Sequence, residues 1–432
     1  MKIGIIGSGH VGLVTGACFA HLGHEVISVD SDPRKIALLK KGKTPIYEPG
    51  LAEMVRENLK EKRLSFTGDI ATAVKRTEVL FVCVGTPPKE SGDADLTAVE
   101  GVSREIAQTM NSYRLVVDKS TVPVQTGEWV QKTIQDNRRR NVEFDVASNP
   151  EFLREGSAVK DFLYPDRIVL GVESKRAEKI LTDLYRPLKA KLLVTDIKSA
   201  ELIKHASNSF LSTKISFINL VSRVCEAVGA DVEKVAEGMG LDPRIGPSFL
   251  NAGIGFGGFC FPKDLSAFIR IGDQLGVDFG LLRAVLAINE GQKRAFVEKI
   301  GKQLWNLKGK TLGILGLSFK PDTDDMRFAP SIDIVHALLK EGVKLRAYDP
   351  QATANARQIF GDQLTYVKNP YEAARGADAL VVLTEWPEFL EIDFKRIKKL
   401  VRHPNVFDGR NLYDPEKLKK LGFRYVGVGR GR

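Results

Sequence analysis

KIGIIGSGHVG, residues 2–12, is an apolar run that breaks into Gly7, Gly9 and Gly12, three glycines in G-x-G-x-x-G spacing. A short apolar run bounded by glycine predicts a buried strand. A helical pattern follows through Leu22, and EVISVD, residues 25–30, predicts a second strand ending at Asp30. Strand, glycine turn, helix and strand together form the βαβ unit of dinucleotide binding. The first glycine permits the tight turn, the second lets backbone approach a pyrophosphate, and the third lets helix and strand pack closely. Helix N-terminal amides then hold the phosphate. Asp30 stands 23 residues after Gly7, where a carboxylate accepts both ribose hydroxyls and repels a 2′-phosphate. The cofactor expected is therefore NAD rather than NADP.

Further apolar strands are predicted at VLFVCVG (79–85), RLVVDKST (114–121) and DVASNP (145–150), each ending in polar residues. Open α/β sheets bind ligands at the carboxyl ends of their strands. Thr86, Ser120, Thr121 and the Asn149-Pro150-Glu151 step thus become site candidates. From Ile197 to Val228 a long helical run replaces strand signals, and a second helix is predicted from Phe279 to Gln303. Lys204 and Asn208, four residues apart on the first of these, share a face with Ala200 and Leu211 near it. At Lys310 the opening pattern returns. TLGILGLSF enters a glycine turn, VKLRAYDP ends in an aspartate and DALVVLTEWP resembles VLFVCVGTP, but G-x-G-x-x-G is missing. The fold expected is α/β: two Rossmann-like, doubly wound parallel-sheet domains, residues 1–196 and 304–432, joined by a central helical domain, residues 197–303. Lys320, Arg327 and Arg410 are the charged residues at strand ends of the last domain, with surface salt bridges as the alternative reading for each.

GIGFGGFCFPKD, residues 253–264, delivers Cys260 to the start of a helix four residues ahead of Asp264. Four glycines give the loop freedom and close approach, and Pro262 fits a helical first turn. A helix N-terminus favours a thiolate, which is what a covalent nucleophile requires. The competing reading is a small buried hydrophobe. Cys18, Cys83 and Cys225 read as structural, and the four cysteines have neither disulfide nor metal spacing, so no metal is expected. With 43% hydrophobic and 27% charged residues the chain of 432 is globular, not disordered. No apolar run reaches the ~20 residues of a membrane span, and a cytoplasmic location without membrane partners is expected. The net charge of +10 sits in short clusters at Arg138–Arg140, Lys395–Arg402 and the Gly-Arg-Gly-Arg tail. They are not interleaved with aromatics, so no nucleic acid is expected as partner.

A dinucleotide domain beside a poised cysteine suggests oxidation through a thioester. At these residues the chain resembles the nucleotide-sugar 6-dehydrogenases of the UDP-glucose/GDP-mannose dehydrogenase family. The motifs GSGHVGLVTGACFA, IYEPGL, VGTP, STVP, NPEFLREG, KHASNSF, GFGGFCFPKD, GLSFKPDTDDMR and FDGRN carry the likeness in order from end to end. The resemblance implies NAD-dependent oxidation of a sugar C6 alcohol in two steps, through a cysteine thioester, to a uronate. UDP-glucose is the implied substrate, with GDP-mannose or a UDP-N-acetylhexosamine as alternatives. It implies Cys260 as nucleophile and Asp264 as the residue orienting or deprotonating water. Lys204 and Asn208 would stand beside the sugar C6 oxygen, Glu151 would serve acid/base or hydrolytic duty, and Thr121 would position water or substrate. Cofactor contacts would be Gly7, Gly9, Val11, Gly12, Asp30, Lys35, Thr86, Ser120, Glu155 and Arg327. Substrate contacts would add Phe152, Leu153, Arg244, Phe249, Asn251, Gly257, Lys320 and Arg410. Arg244 would reach a neighbouring subunit's site, implying a homodimer or larger. Phe328, Phe259 and His10 depart from the expected pattern. A catalytically dead nucleotide-sugar sensor is the rival from another class, although every group the chemistry needs is present.

Overall fold

The computed structural model describes residues 1–89 and 92–430, so Gly431 and Arg432, the end of the basic tail, lie outside the described residues. Its contacts divide into two compact units, Met1–Ser207 with Ser266–Val277, and Asn208–Leu265 with Asp278–Arg432.

The first unit is built on eight strands, β1 (Lys2–Ile6), β2 (Glu25–Val29), β3 (Leu64–Thr67), β4 (Val79–Val82), β5 (Arg114–Asp118), β6 (Phe144–Ser148), β7 (Ile168–Val172) and β8 (Leu192–Thr195). Their order is β3-β2-β1-β4-β5-β6-β7-β8. Strands β1 to β6 run parallel, β7 is antiparallel to β6, and β8 is parallel to β7. Ile3, Ile5, Phe81 and Leu115 are fully buried, as continuous apolar runs must be when helices cover both faces. Phe19, on the helix His10–His21, packs 5.2 Å from Phe81 and 5.1 Å from Phe162. Each side chain of this size contributes about 1.5–3 kcal/mol by leaving water.

The strands stop short of the apolar runs that predicted them. Cys83 to Gly85, Lys119 to Thr121 and Asn149-Pro150 lie beyond the strand ends; Pro150 has no N–H to give a ladder, and the side chains of Lys119, Ser120 and Asn149 make hydrogen bonds outside it. Cys83 is accordingly a buried residue just beyond β4 rather than within it. Strands β3, β7 and β8 have no counterpart in the sequence reading. LSFT alternates polar residues, and β8 is half-exposed on an edge, so neither shows the apolar run of a central strand.

The second unit holds a six-stranded, wholly parallel sheet of β9 (Thr311–Leu315), β10 (Lys344–Tyr348), β11 (Leu364–Tyr366), β12 (Ala379–Val382), β13 (Asn405–Asp408) and β14 (Arg424–Val426). Its order, β11-β10-β9-β12-β13-β14, repeats the winding of β3-β2-β1-β4-β5-β6. The three strand runs read after Lys310 supply β9, β10 and β12 at its centre. The helix Ile197–Val228 starts in the first unit and ends in the second, and the helix Gly280–Leu304 belongs to the second. Both fall within a residue of their predicted bounds.

Candidate functional site

In the first unit the strand order reverses between β1 and β4, and the carboxyl ends of those strands form the usual ligand edge of such a sheet. Gly7 takes φ +100°, and a Cβ there would lie 2.6 Å from Cys83 O. A Cβ on Gly12 would fall 1.8 Å from Gly7 O, whereas one on Gly9 would meet no atom within 4 Å. Gly7 and Gly12 thus close the turn on itself, while Gly9 leaves open the space a pyrophosphate needs at the start of the helix His10–His21. This cradle fits a dinucleotide. Asp30 Oδ2 accepts from Ser8 N at 2.9 Å and from Lys35 Nζ at 2.7 Å, and Oδ1 accepts from Asp32 N at 3.0 Å. Oδ1 keeps a further lone pair for a ribose hydroxyl. Thr86 Oγ1 donates to Thr121 O at 2.9 Å and Ser120 Oγ to Val84 O at 2.8 Å, joining the loops after β4 and β5.

Beyond β6, Glu151 and Lys204 are both buried and pair at 2.9 Å. Glu151 Oε2 also accepts from Leu153 N at 2.6 Å, and Lys204 Nζ stands 5.4 Å from the Phe152 ring centre. The carboxylate therefore points at the ammonium from a fixed backbone. Its fixity begins two residues earlier, at Asn149. Buried Lys119 donates to Asn149 Oδ1 at 3.0 Å, Tyr185 donates to the same oxygen at 2.5 Å, and Asn149 Nδ2 donates to Val169 O at 2.8 Å. Burial pulls the Lys119 ammonium down to about 8, against the opposing fields of Cys83 and Glu151 and with the help of Lys204. Lys119 was not singled out by sequence. The signal was available, since a lysine directly after the buried strand RLVVD is a cation in need of partners. His10 forms an ion pair with Glu48 at 3.0 Å. Burial lowers its pKa, but the Glu48 hydrogen bond and the charges of Glu155, Glu48 and Glu151 outweigh it and hold the imidazole above its usual range. Glu155 is partly buried on the same segment, so His10 supplies a partner for a cluster of acids where an aromatic would not.

In the second unit Cys260 opens the helix Cys260–Leu275 and is partly exposed, whereas Cys18, Cys83 and Cys225 are buried. First-turn amides surround such a thiol and favour its ionised form. One turn on, Asp264 is fully buried; it accepts from Asn208 Nδ2 at 2.6 Å and pairs with Lys263 Nζ at 2.7 Å. Spacing of four residues puts Cys260 and Asp264 on one helix face. The glycine loop is clamped from three sides. Asn219 Oδ1 accepts from Gly253 N at 2.8 Å, Asn289 Oδ1 accepts from Phe256 N at 2.8 Å, and Arg410 Nη1 donates to Gly255 O at 3.0 Å. Arg410 also donates to Leu383 O and Phe319 O at 2.9 and 3.2 Å, tying the thiol loop to the carboxyl ends of β9 and β12. Asn219, Asn289 and Lys263 escaped the sequence reading, because a lone asparagine on a helix carries no spacing signal.

The remaining candidates are placed as follows. A Cβ on Gly257 would lie 2.4 Å from Phe328 O, and Phe328 itself takes φ +52°, so the loop and the segment after Arg327 meet backbone to backbone. Arg327 lies 4.3 Å over the Phe259 ring and is gripped by Asp325 at 2.6 Å. Lys320 Nζ is 5.4 Å from the Phe319 ring centre. Phe249 takes φ +65° with its ring 6.3 Å from that of Phe261, and Asn251 is exposed beside it. Arg244 is not drawn into this cluster. Its guanidinium holds Asp242 at 2.6 Å on an exposed turn.

Comparison with known proteins matches three models of the UDP-glucose/GDP-mannose dehydrogenase family to this chain. The NAD binding domain covers residues 1–189, the central domain residues 198–291 and the UDP binding domain residues 313–415. The chain is 46% identical to the UDP-glucose 6-dehydrogenase TuaD of Bacillus subtilis over 99% of its own length and 93% of the relative's. It is 46% identical to the UDP-glucose 6-dehydrogenase of Rhizobium meliloti over the whole of both. Among solved structures, the UDP-glucose dehydrogenase of the archaeon Pyrobaculum islandicum superposes with a TM-score of 0.93 at 41% identity, covering 99% of this chain and 97% of that one.

Proposed function

The chain belongs to the UDP-glucose/GDP-mannose dehydrogenase family and uses NAD, and from that premise we propose that it oxidises the C6 alcohol of UDP-glucose to UDP-glucuronate through a thioester on Cys260. NAD, when bound, supplies the hydride acceptor, once for each of two oxidations. The buried Lys204 ammonium stabilises the alkoxide that forms as the C6 hydroxyl loses its proton. That alkoxide becomes an aldehyde as its first C6 hydride leaves; the Cys260 thiolate then forms a C–S bond to the aldehyde carbon while the carbonyl π bond opens and its oxygen takes a proton, giving a thiohemiacetal whose remaining C6 hydride leaves in the second oxidation. Water attacks the resulting thioester, the C–S bond breaks, and the carboxylate departs as the thiol is restored. Asp264, held by the hydrogen bond from Asn208 Nδ2, takes the water's proton, while Glu151 exchanges protons beside Lys204. Lys320 and the loop tied down by Arg410 receive the UDP portion, and Thr121 positions water or substrate. The division at residues 196/197 and 303/304 belongs to the same reading.

One observation carries this proposal: of four thiols, Cys260 alone is partly exposed, in the first turn of a helix and one turn from a buried carboxylate. Incubation with NAD and a panel of nucleotide sugars, with NADH counted and product identified by mass, tests it. Two NADH per UDP-glucose with uronate formed is the expected result. Activity confined to GDP-mannose or a UDP-N-acetylhexosamine would change the substrate, and one NADH per sugar would remove the thioester.

The titration of Lys119 gives this activity a pH signature. Its folded pKa of about 8 lies below the usual lysine value, so its charge beside Glu151 and Lys204 fades as pH rises through 8. The wild-type kcat profile is expected to carry an inflection there. Lys119→Met should lack it while keeping the other limbs, and an unchanged inflection in the variant would assign the titration elsewhere.

The chain is also proposed to self-associate. On the helix Ile197–Val228, Phe210, Phe217, Leu220 and Val224 are exposed at helical spacing, and an apolar stripe of this kind is the mark of an interface. Sedimentation should give a dimer or larger for the wild type and a smaller species for Phe210→Glu/Phe217→Glu; identical sizes would sink the interface. No described helix is long and apolar enough to cross a membrane, and a reducing cytoplasm suits a working thiol.

A further inference from the structure

The amino-terminal edge of the first sheet carries a cavity of about 430 Å³ whose lining holds five cations, Lys2, Lys75, Arg76, Arg114 and Arg176, against one carboxylate, Glu78. This edge lies at the other end of the strands from the glycine turn. Strand β1 is five residues long, which at ~3.3 Å per residue separates the two edges by about 16 Å. The cavity is therefore distinct from the cofactor cradle.

Arg114 forms the floor. It is buried, and its Nε, Nη1 and Nη2 donate to Val74 O, Tyr113 O and Lys75 O at 2.5, 2.7 and 3.2 Å, with Asn111 Oδ1 at 2.9 Å. The Val74 and Lys75 carbonyls belong to the last turn of the helix Ile70–Arg76. A helix C-terminus is the natural local source of negative potential, and Arg114 neutralises it from within. The surface cations share a smaller number of carboxylates, Glu78 in the lining and Glu25 and Glu143 beside it. Lys2 and Arg76 share Glu25, at 3.7 and 3.4 Å. Arg176 reaches the exposed Glu143 at 3.3 Å while its guanidinium lies 3.3 Å over the Tyr113 ring, a stack that fixes its direction. Tyr113 is fixed in turn by donating to Asp145 Oδ2 at 2.7 Å. Converging like charges repel one another, and an anion spanning the cavity relieves that repulsion.

We propose that this cavity binds a phosphoanhydride anion, a di- or triphosphate chain such as that of a nucleotide or of inorganic polyphosphate. Several negative charges in a row match cations distributed around a cavity better than a single phosphate does, and arginine and lysine are the residues that hold them. Binding there leaves the proposed NAD and UDP sites untouched, so success or failure is independent of the reaction assigned to the chain.

The test is isothermal titration of the full chain, saturated with NAD and UDP, using sodium tripolyphosphate as probe. One binding event per chain is expected, weakened about tenfold or more between about 50 and 200 mM salt, since such contacts are strongly screened. Lys75→Glu/Arg76→Glu should lose the event while its NAD-dependent turnover without probe stays at the wild-type rate. Lys2→Gln, which alters a half-exposed surface position, guards against a folding defect in the double variant and should weaken binding several-fold. ADP binding as well as tripolyphosphate would identify a nucleotide as the ligand, and ADP failing where tripolyphosphate binds would identify inorganic polyphosphate. No event in the wild type, or one of equal strength in the double variant, overturns the proposal.

Discussion

Cys260→Ser is expected to release no acid: NADH formation should fall by a factor of about 10³ or more, with at most one NADH per bound sugar in a single turnover. The reason lies in the ionisation of the two side chains. A thiol at a helix N-terminus loses its proton near neutrality, whereas a serine hydroxyl in the same field does not. The first oxidation needs no nucleophile and can proceed, but its aldehyde product cannot be captured for the second. Serine is a good residue for the start of a helix, and Cys260 is only partly buried, so thermal melts of variant and wild type should nearly coincide. Rapid-quench mass spectrometry of the wild type should show the chain heavier by the uronyl group, and the variant should show no adduct. Full turnover by the serine enzyme would exclude covalent catalysis and return Cys260 to a packing role.

The nucleotide edge of the first unit was legible because its signals are local. Three glycines, a strand before, a helix after and an acid at the next strand end are all read within thirty residues, and each has a steric reason visible in the turn. The centre of the second sheet was legible for the same reason, since β9 is an apolar run closed by Gly316, β10 runs into Asp349 and β12 repeats the apolar run of β4. What escaped was set by long-range partners. Lys119 depends on Asn149 thirty residues away, and Asn289 on a loop thirty-three residues away. Nothing in the residues around either predicts that pairing. Arg410 shows the intermediate situation. Its strand-end position was readable, but its guanidinium donates to three backbone carbonyls and pairs with Glu385 at 3.2 Å, so its replacement should act first through the shape of the thiol loop.

Lys204→Met is expected to cost both stability and activity, and a second substitution separates the two. Lys204 and Glu151 are each about 5% exposed or less and pair at 2.9 Å. Removing the ammonium leaves a buried carboxylate without the countercharge it pairs with, and breaking such a buried pair costs about 3–5 kcal/mol. For a chain of ordinary stability that is a large share of the whole, so the variant should unfold at much lower denaturant concentration. Glu151→Gln in the same chain removes the stranded charge while its amide oxygen still accepts from Leu153 N, the contact that fixes the segment. The Lys204→Met/Glu151→Gln protein should therefore recover most of the lost stability. Its turnover should not recover, because the ammonium assigned to the developing alkoxide and the carboxylate assigned to proton exchange are both gone; the loss expected is at least about 10²–10³-fold in kcat, the range found for removing one group that stabilises such charge. A double variant that regains activity along with stability would make the pair structural and move the alkoxide's partner to another residue. A double variant as unstable as Lys204→Met would show that the lysine acts through its packing against Phe152 rather than through its charge.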